Sequence, residues 1–211
     1  MDKDIFDLPE GYSEIKRIDL VNDTKLAVQL SIGALVIAVA VWIIGHIIVP
    51  FGLAIFEPDN IPSWLIYMSA AINIPSWILQ IIGVLISLAI YVIIHELIHG
   101  AFFKLYSGRR AKYGFAMLTP YCGSDAYYNK RQYVIIGLAP VVLSGIVLLG
   151  LNIVLPAQWF WWVYLIQVMN LSGAAGDIYM AGLMNRLPAD ILIHDEGVAM
   201  TIYAREGVKA K

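Results

Sequence analysis

The chain is poor in charge and almost without cysteine. Only 14% of its 211 residues are Asp, Glu, Lys or Arg, where a soluble domain carries about a quarter. The lone cysteine, Cys122, excludes an intrachain disulfide. A single free thiol usually packs as a small hydrophobe, although one metal ligand or a reactive thiol are the other readings. A net charge of −2 supplies no basic field for a nucleic-acid partner. The first 25 residues lack a short basic leader region. Asp2, Asp4, Asp7, Glu10, Glu14, Asp19 and Asp23 outnumber Lys3, Lys16, Arg17 and Lys25 there, so a polar arm is expected rather than a cleavable signal. No internal repeat or low-complexity tract is present.

What the chain does have is apolar length. It is 60% hydrophobic, with a mean hydropathy of +0.73. No charged residue occurs from Leu26 to Phe56, and about 20 apolar residues cross a bilayer. A first span ending near Pro50 is expected, with His46 as an interfacial or packing residue. Glu57-Pro-Asp-Asn60 reads as a turn. Ile61–Asn73, flanked by Trp64 and Trp77, reads as a short interfacial or re-entrant segment. A second span runs from Ile78 to Phe103, a third from Gln132 to Leu155 with Pro140 inside, and a fourth from Trp162 to Met184. Weak alternation over Ile15–Leu20 predicts a short strand, Lys112–Tyr121 an extended segment, and Ile191–His194 with Val198–Tyr203 a tail hairpin turning at Asp195-Glu-Gly197.

The expected fold is therefore an all-α membrane protein of about four transmembrane helices, with a small extended loop segment and a C-terminal hairpin. Its organisation reads as an arm (1–25), a four-span domain (26–186) and a tail (187–211). Lys104, Arg109, Arg110, Lys112, Lys130 and Arg131 surround the loop 107–131, whereas 51–76 and 156–161 hold no Lys or Arg. Cytoplasmic loops are enriched in these residues, so both termini are expected in the cytoplasm.

The second span contains His95-Glu-Leu-Ile-His99. Residues four apart share a helix face, so His95 and His99 can hold one metal ion while Glu96 reaches a water beside it. Two His and a Glu within a lipid-length apolar segment are costly unless compensated. A catalytic zinc takes three protein ligands and leaves a fourth position open. Asp177 is the carboxylate within the fourth span. Counting from Lys104 and Arg186, all three residues lie roughly 7–14 Å from the same ends of their helices. Asp125, His194 and Glu196 are the rivals for third ligand, and chain position puts them nearer the surface. Ser172-Gly-Ala-Ala-Gly176 permits close helix approach. Asn170, seven residues before Asp177, suits either a hydrogen bond to a substrate carbonyl or an interhelical amide bridge.

Taken in order, His95-Glu-Leu-Ile-His-Gly100, Thr119-Pro-Tyr-Cys122, Ser172-Gly-Ala-Ala-Gly-Asp177 and Leu187-Pro-Ala-Asp190 resemble the bacterial and archaeal putative zincin peptidases, domain-of-unknown-function family 3267. The resemblance runs from about Leu8 to Tyr203. It implies zinc ligation by His95, His99 and Asp177, with Glu96 as the base. A more distant similarity is to site-2 proteases, which cleave within the membrane. The chain departs from them because Gly176 precedes Asp177 and no Pro-rich Asp-Gly signature is present. The resemblance implies a membrane zinc metalloprotease acting on a peptide or membrane-protein substrate in a prokaryotic cell membrane. The alternatives are a membrane protein that binds metal for structure, sensing or transport, and a pseudo-enzyme that retains membrane partners.

Overall fold

A computed structural model describes residues 6–19, 21–51, 61–116 and 119–205. The turn expected at 57–60 lies outside them. In chain order the elements are β1 (Tyr12–Asp19), α1 (Thr24–Ile48), α2 (Ser63–Ile72), α3 (Ser76–Ser107), β2 (Lys112–Ala116) and β3 (Thr119–Gly123). They continue with β4 (Tyr127–Asn129), α4 (Lys130–Val154), a 3-10 turn (Ala157–Trp159), α5 (Phe160–Gly173), α6 (Ala175–Arg186), β5 (Ile191–Asp195) and β6 (Ala199–Arg205). The chain forms two compact units, one of residues 1–32, 93–142 and 175–211, the other of 33–92 and 143–174.

Local chemistry sets the helix ends. The Asp23 carboxylate accepts from the Leu26 N–H at 2.9 Å and caps α1. Asn129 and Gln132 bond reciprocally to each other's backbone N–H groups, a capping box that starts α4. Asn73 adopts the left-handed conformation and stops α2 after ten residues. That length is too short to span a bilayer.

Among the described residues three helices are long and apolar enough to cross a membrane, namely α1, α3 and α4. Side chains such as Leu35, Ile47 and Val154 project outward at 64%, 76% and 80% exposure. Apolar surface on that scale suits lipid rather than water. At 32 residues α3 is about 48 Å long, more than the roughly 30 Å hydrocarbon layer requires.

The stretch expected as a fourth span is two helices. α5 has 14 residues and α6 has 12. The break falls at Ala174, whose ψ of 10° leaves the helical range. Glycine costs about 1 kcal/mol more than alanine in a helix interior, and Gly173 and Gly176 flank the break.

The second unit is held by aromatic rings set against small residues. Tyr164 donates its hydroxyl to the Val41 carbonyl at 2.7 Å, Trp161 its indole N–H to Val49 at 3.0 Å, and Trp162 to Ser87 Oγ at 3.1 Å. A Cβ on Gly45 would overlap the Tyr164 ring, and one on Gly83 the Trp162 ring. Small residues open these seats, as in membrane helix packing generally.

The first unit contains a four-stranded antiparallel sheet of order β1-β6-β5-β4 and a separate hairpin, β2–β3. The segment expected to be one extended run over Lys112–Tyr121 is this hairpin. The expected tail hairpin forms as β5–β6, and the arm adds β1 beside it with Tyr12 opposite Arg205. The core under the sheet joins Ile18, Phe103, Tyr128, Ile136, Met184, Ile193 and Ile202. Tyr128 keeps its hydroxyl satisfied there, sharing a 2.6 Å hydrogen bond with Ser124 Oγ and donating to the Phe103 carbonyl at 3.3 Å.

Ile202 is fully buried in this core. Its replacement by alanine removes buried methylenes and leaves a cavity, so I202A is expected to lose about 2–5 kcal/mol of stability. Thermal unfolding of the detergent-solubilised protein measures the loss, and an unchanged melting temperature would contradict the packing described.

Candidate metal centre

His95 and His99 lie one turn apart on α3, facing the same way. Their ring centroids are 4.9 Å apart, with planes 78° to each other. Asp177 is in the first turn of α6, where a carboxylate is stabilised by the helix dipole. It meets both imidazoles: Oδ2 is 3.3 Å from His95 Nε2 and Oδ1 is 3.6 Å from His99 Nε2. One ligand atom from each of the three residues falls within 4.8 Å of the others. The imidazole side chains are only 12% exposed and the Asp177 side chain 25%.

The set fits zinc. A tetrahedral ion with bonds of about 2.0–2.2 Å places its ligand atoms roughly 3.3 Å apart, close to the two separations observed. The His99 ring is also oriented for the task. Its Nδ1 lies 3.0 Å from the Ile136 carbonyl. A carbonyl only accepts, so Nδ1 carries a proton, and Nε2, which faces Asp177, is the atom that would ligate a metal from the neutral ring. Glu96 is half-buried on α3 between the two His, within electrostatic range of both.

The other sequence-predicted residues lie elsewhere. Asp125 pairs with Lys112 at 2.6 Å. His194 stacks on Tyr127, and Glu196 is exposed. None of the three joins the cluster. Asn170 belongs to the second unit, fully buried, and accepts a hydrogen bond from the Tyr91 hydroxyl at 2.7 Å. His46 Nδ1 accepts from the Phe51 N–H at 3.0 Å, and its ring stacks on Trp42. Cys122 is buried in the core of the first unit. Burial, with the Glu96 and Asp195 carboxylates, pushes its thiol up to about 12, so it stays protonated at physiological pH.

Gly100 follows His99, and a Cβ there would overlap the Tyr113 hydroxyl. The β2–β3 hairpin thus rests on α3 beside the motif.

Two side chains were not read from the sequence. Tyr133 donates its hydroxyl to Asp195 Oδ2 at 2.6 Å. The sequence reading places Asp195 in the turn of the tail hairpin, whereas it is the last residue of β5. The signal was present in β5, because strict alternation places Asp195 on the same face as Ile191 and Ile193, which are 1% and 0% exposed.

Residues 88–192 match the family model described as "Putative zincin peptidase". The matched segment contains His95, Glu96, His99 and Asp177, and it is shorter than the resemblance read from the motifs. No curated protein and no solved structure matches the chain.

As a candidate ligand, Asp177 is distinguished from a supporting contact by how much its removal costs. D177A is expected to weaken zinc binding by more than the roughly 10–100-fold that loss of an outer-shell partner causes. Metal analysis and chelator competition on purified wild type and variant read this directly. Equal stoichiometry and affinity would remove Asp177 from the site.

Proposed function

We propose that this chain, which carries the putative zincin peptidase family's segment at residues 88–192, is a membrane-embedded zinc metalloprotease that hydrolyses peptide bonds of a membrane or membrane-proximal substrate. The observation that carries the reading is the convergence of His95 and His99, on the lipid-length helix α3, with Asp177 on α6, one ligand atom from each within 4.8 Å of the others. His95 Nε2, His99 Nε2 and an Asp177 oxygen would hold the ion. When bound, zinc supplies a Lewis acid that polarises a carbonyl and makes water acidic near neutral pH.

The chain's own groups do the rest. The Ile136 carbonyl keeps the His99 ring turned toward the site. Glu96, next to His95 on α3, accepts the proton of the attacking water and delivers it to the leaving amine. The length and apolar composition of α3, which carries His95, Glu96 and His99, support a site at a lipid-length helix. The basic loop at 107–131 supports a topology with both termini on the cytoplasmic side. The partners are then the lipid bilayer and a peptide or membrane-protein substrate.

The β2–β3 hairpin offers a place for that substrate. Among the described residues it is a sheet of only two strands, so each strand has an outer edge to which an extended peptide can add. Phe115 is 76% exposed on β2 and gives that edge an apolar side chain. For Asn170, fully buried against Tyr91 in the second unit, both the substrate-contacting and the helix-bridging roles remain proposals.

Two measurements test the reading. E96Q is expected to retain zinc and to lose proteolysis by a factor of at least about 10², the lower range for general acid–base catalysis. Zinc retention with unchanged cleavage would sink the enzymatic role of Glu96. F115A is expected to raise KM while bound zinc per mole stays the same; parallel loss of metal and cleavage would count against the hairpin as substrate edge.

A further inference from the structure

The tail hairpin carries a half-buried carboxylate to which the mechanism gives no task. Asp195 ends β5, and its backbone carbonyl accepts from the Ser124 N–H at 2.7 Å. Its side chain turns inward. Oδ1 accepts from the Gly197 N–H at 2.7 Å and Oδ2 from the Tyr133 hydroxyl at 2.6 Å. Among the described residues no Lys or Arg pairs with it.

Tyr133 lies three residues before Ile136 on α4. Residues three apart share a helix face. The same face therefore grips Asp195 through the Tyr133 hydroxyl and His99 through the Ile136 carbonyl. The electrostatics run along the same route: His99 and Asp177 act on Asp195, and Asp195 acts on Glu96.

Burial raises the Asp195 carboxyl above the usual carboxylate range, the Tyr133 and Gly197 hydrogen bonds lower it in part, and Asp177 raises it further. A carboxyl raised in the folded state withdraws stability as pH climbs from the ordinary carboxylate range through the folded value. Above that window a charged Asp195 is a cost to the metal-free fold. An amide oxygen could accept hydrogen bonds at this position without it. The carboxylate is explained by a cation close by, and the neighbouring ligand set is built for a dication.

We infer that Asp195 is a positioning residue of the metal centre: held by Tyr133, its carboxylate is an outer negative charge that strengthens retention of a divalent cation by His95, His99 and Asp177. This rests on the zinc reading given above. It also assigns the arm and tail sheet a purpose, because β5 is the strand that delivers the charge.

The test is zinc affinity by chelator competition on the full-length protein in detergent, beside the melting temperature of the metal-free form. D195N is expected to bind zinc at least about 10-fold more weakly, the lower range for outer-shell partners. Its metal-free melting temperature is expected to be no lower than that of wild type. Y133F keeps the charge but loses its tether, and is expected to weaken zinc by a smaller, few-fold factor. Zinc affinity in D195N within twofold of wild type overturns the inference and leaves the peptidase reading standing. So does a weakening matched by a lower metal-free melting temperature, which would make Asp195 merely a turn residue. If D195N does not fold, Y133F decides, and wild-type affinity there overturns the inference. A wild-type protein that binds no zinc removes the zinc reading and this inference together.

Discussion

Polar and ionisable groups inside a lipid-length helix must find partners in the protein, because the surroundings supply none. That constraint governs the first unit. His95, Glu96 and His99 interrupt an α3 whose neighbouring residues Ile93, Ile94 and Leu97 are exposed apolar side chains. Compensation for the two imidazoles comes from two directions: Asp177 at the start of α6 and the Ile136 carbonyl on α4. Each arrives from a different part of the chain. Together they make the unit a frame around one group of donors and acceptors.

The break at Ala174 belongs to the same account. In one continuous helix Asp177 would sit mid-span, with its local backbone dipoles already paired. Ending α5 and starting α6 just before it puts the carboxylate at a helix head, where free N–H groups favour negative charge. The Ser172–Gly176 run, which suits close helix packing, therefore also places Asp177 at a helix start. Ala174 is itself fully buried. The family match covers this turn as well as the His pair, so both halves of the ligand set lie within the matched residues.

Much of the architecture was legible because it is written locally. Runs of uncharged residues marked α1, α3 and α4, and the spacing of His95 and His99 fixed them on one helix face. The tail hairpin followed from its turn residues to within two residues at each strand boundary. Asp177 stands out in the sequence as the carboxylate within an apolar stretch, and it faces both imidazoles. Other features were not legible. β1 pairs with β6 across most of the chain, and Tyr12 reaches Asp190 over a separation of 178 residues. No periodicity encodes such a pairing. The single extended segment expected at 112–121 is a hairpin, since alternation reports strands but not where a strand folds back on itself.

The sequence by itself determined which helices are apolar enough for a membrane and that two imidazoles and a carboxylate base share one of them. Helical and strand periods follow from backbone geometry alone, and a reader can count them. Only the tertiary structure decided that Asp177, rather than Asp125, His194 or Glu196, faces those imidazoles, and that Asp195 points inward to Tyr133 instead of outward from a turn. The physical reason is that a ligand set requires atoms within a few ångströms of each other. That closeness is settled by how distant segments pack, at a scale where the chain's local pattern carries no information.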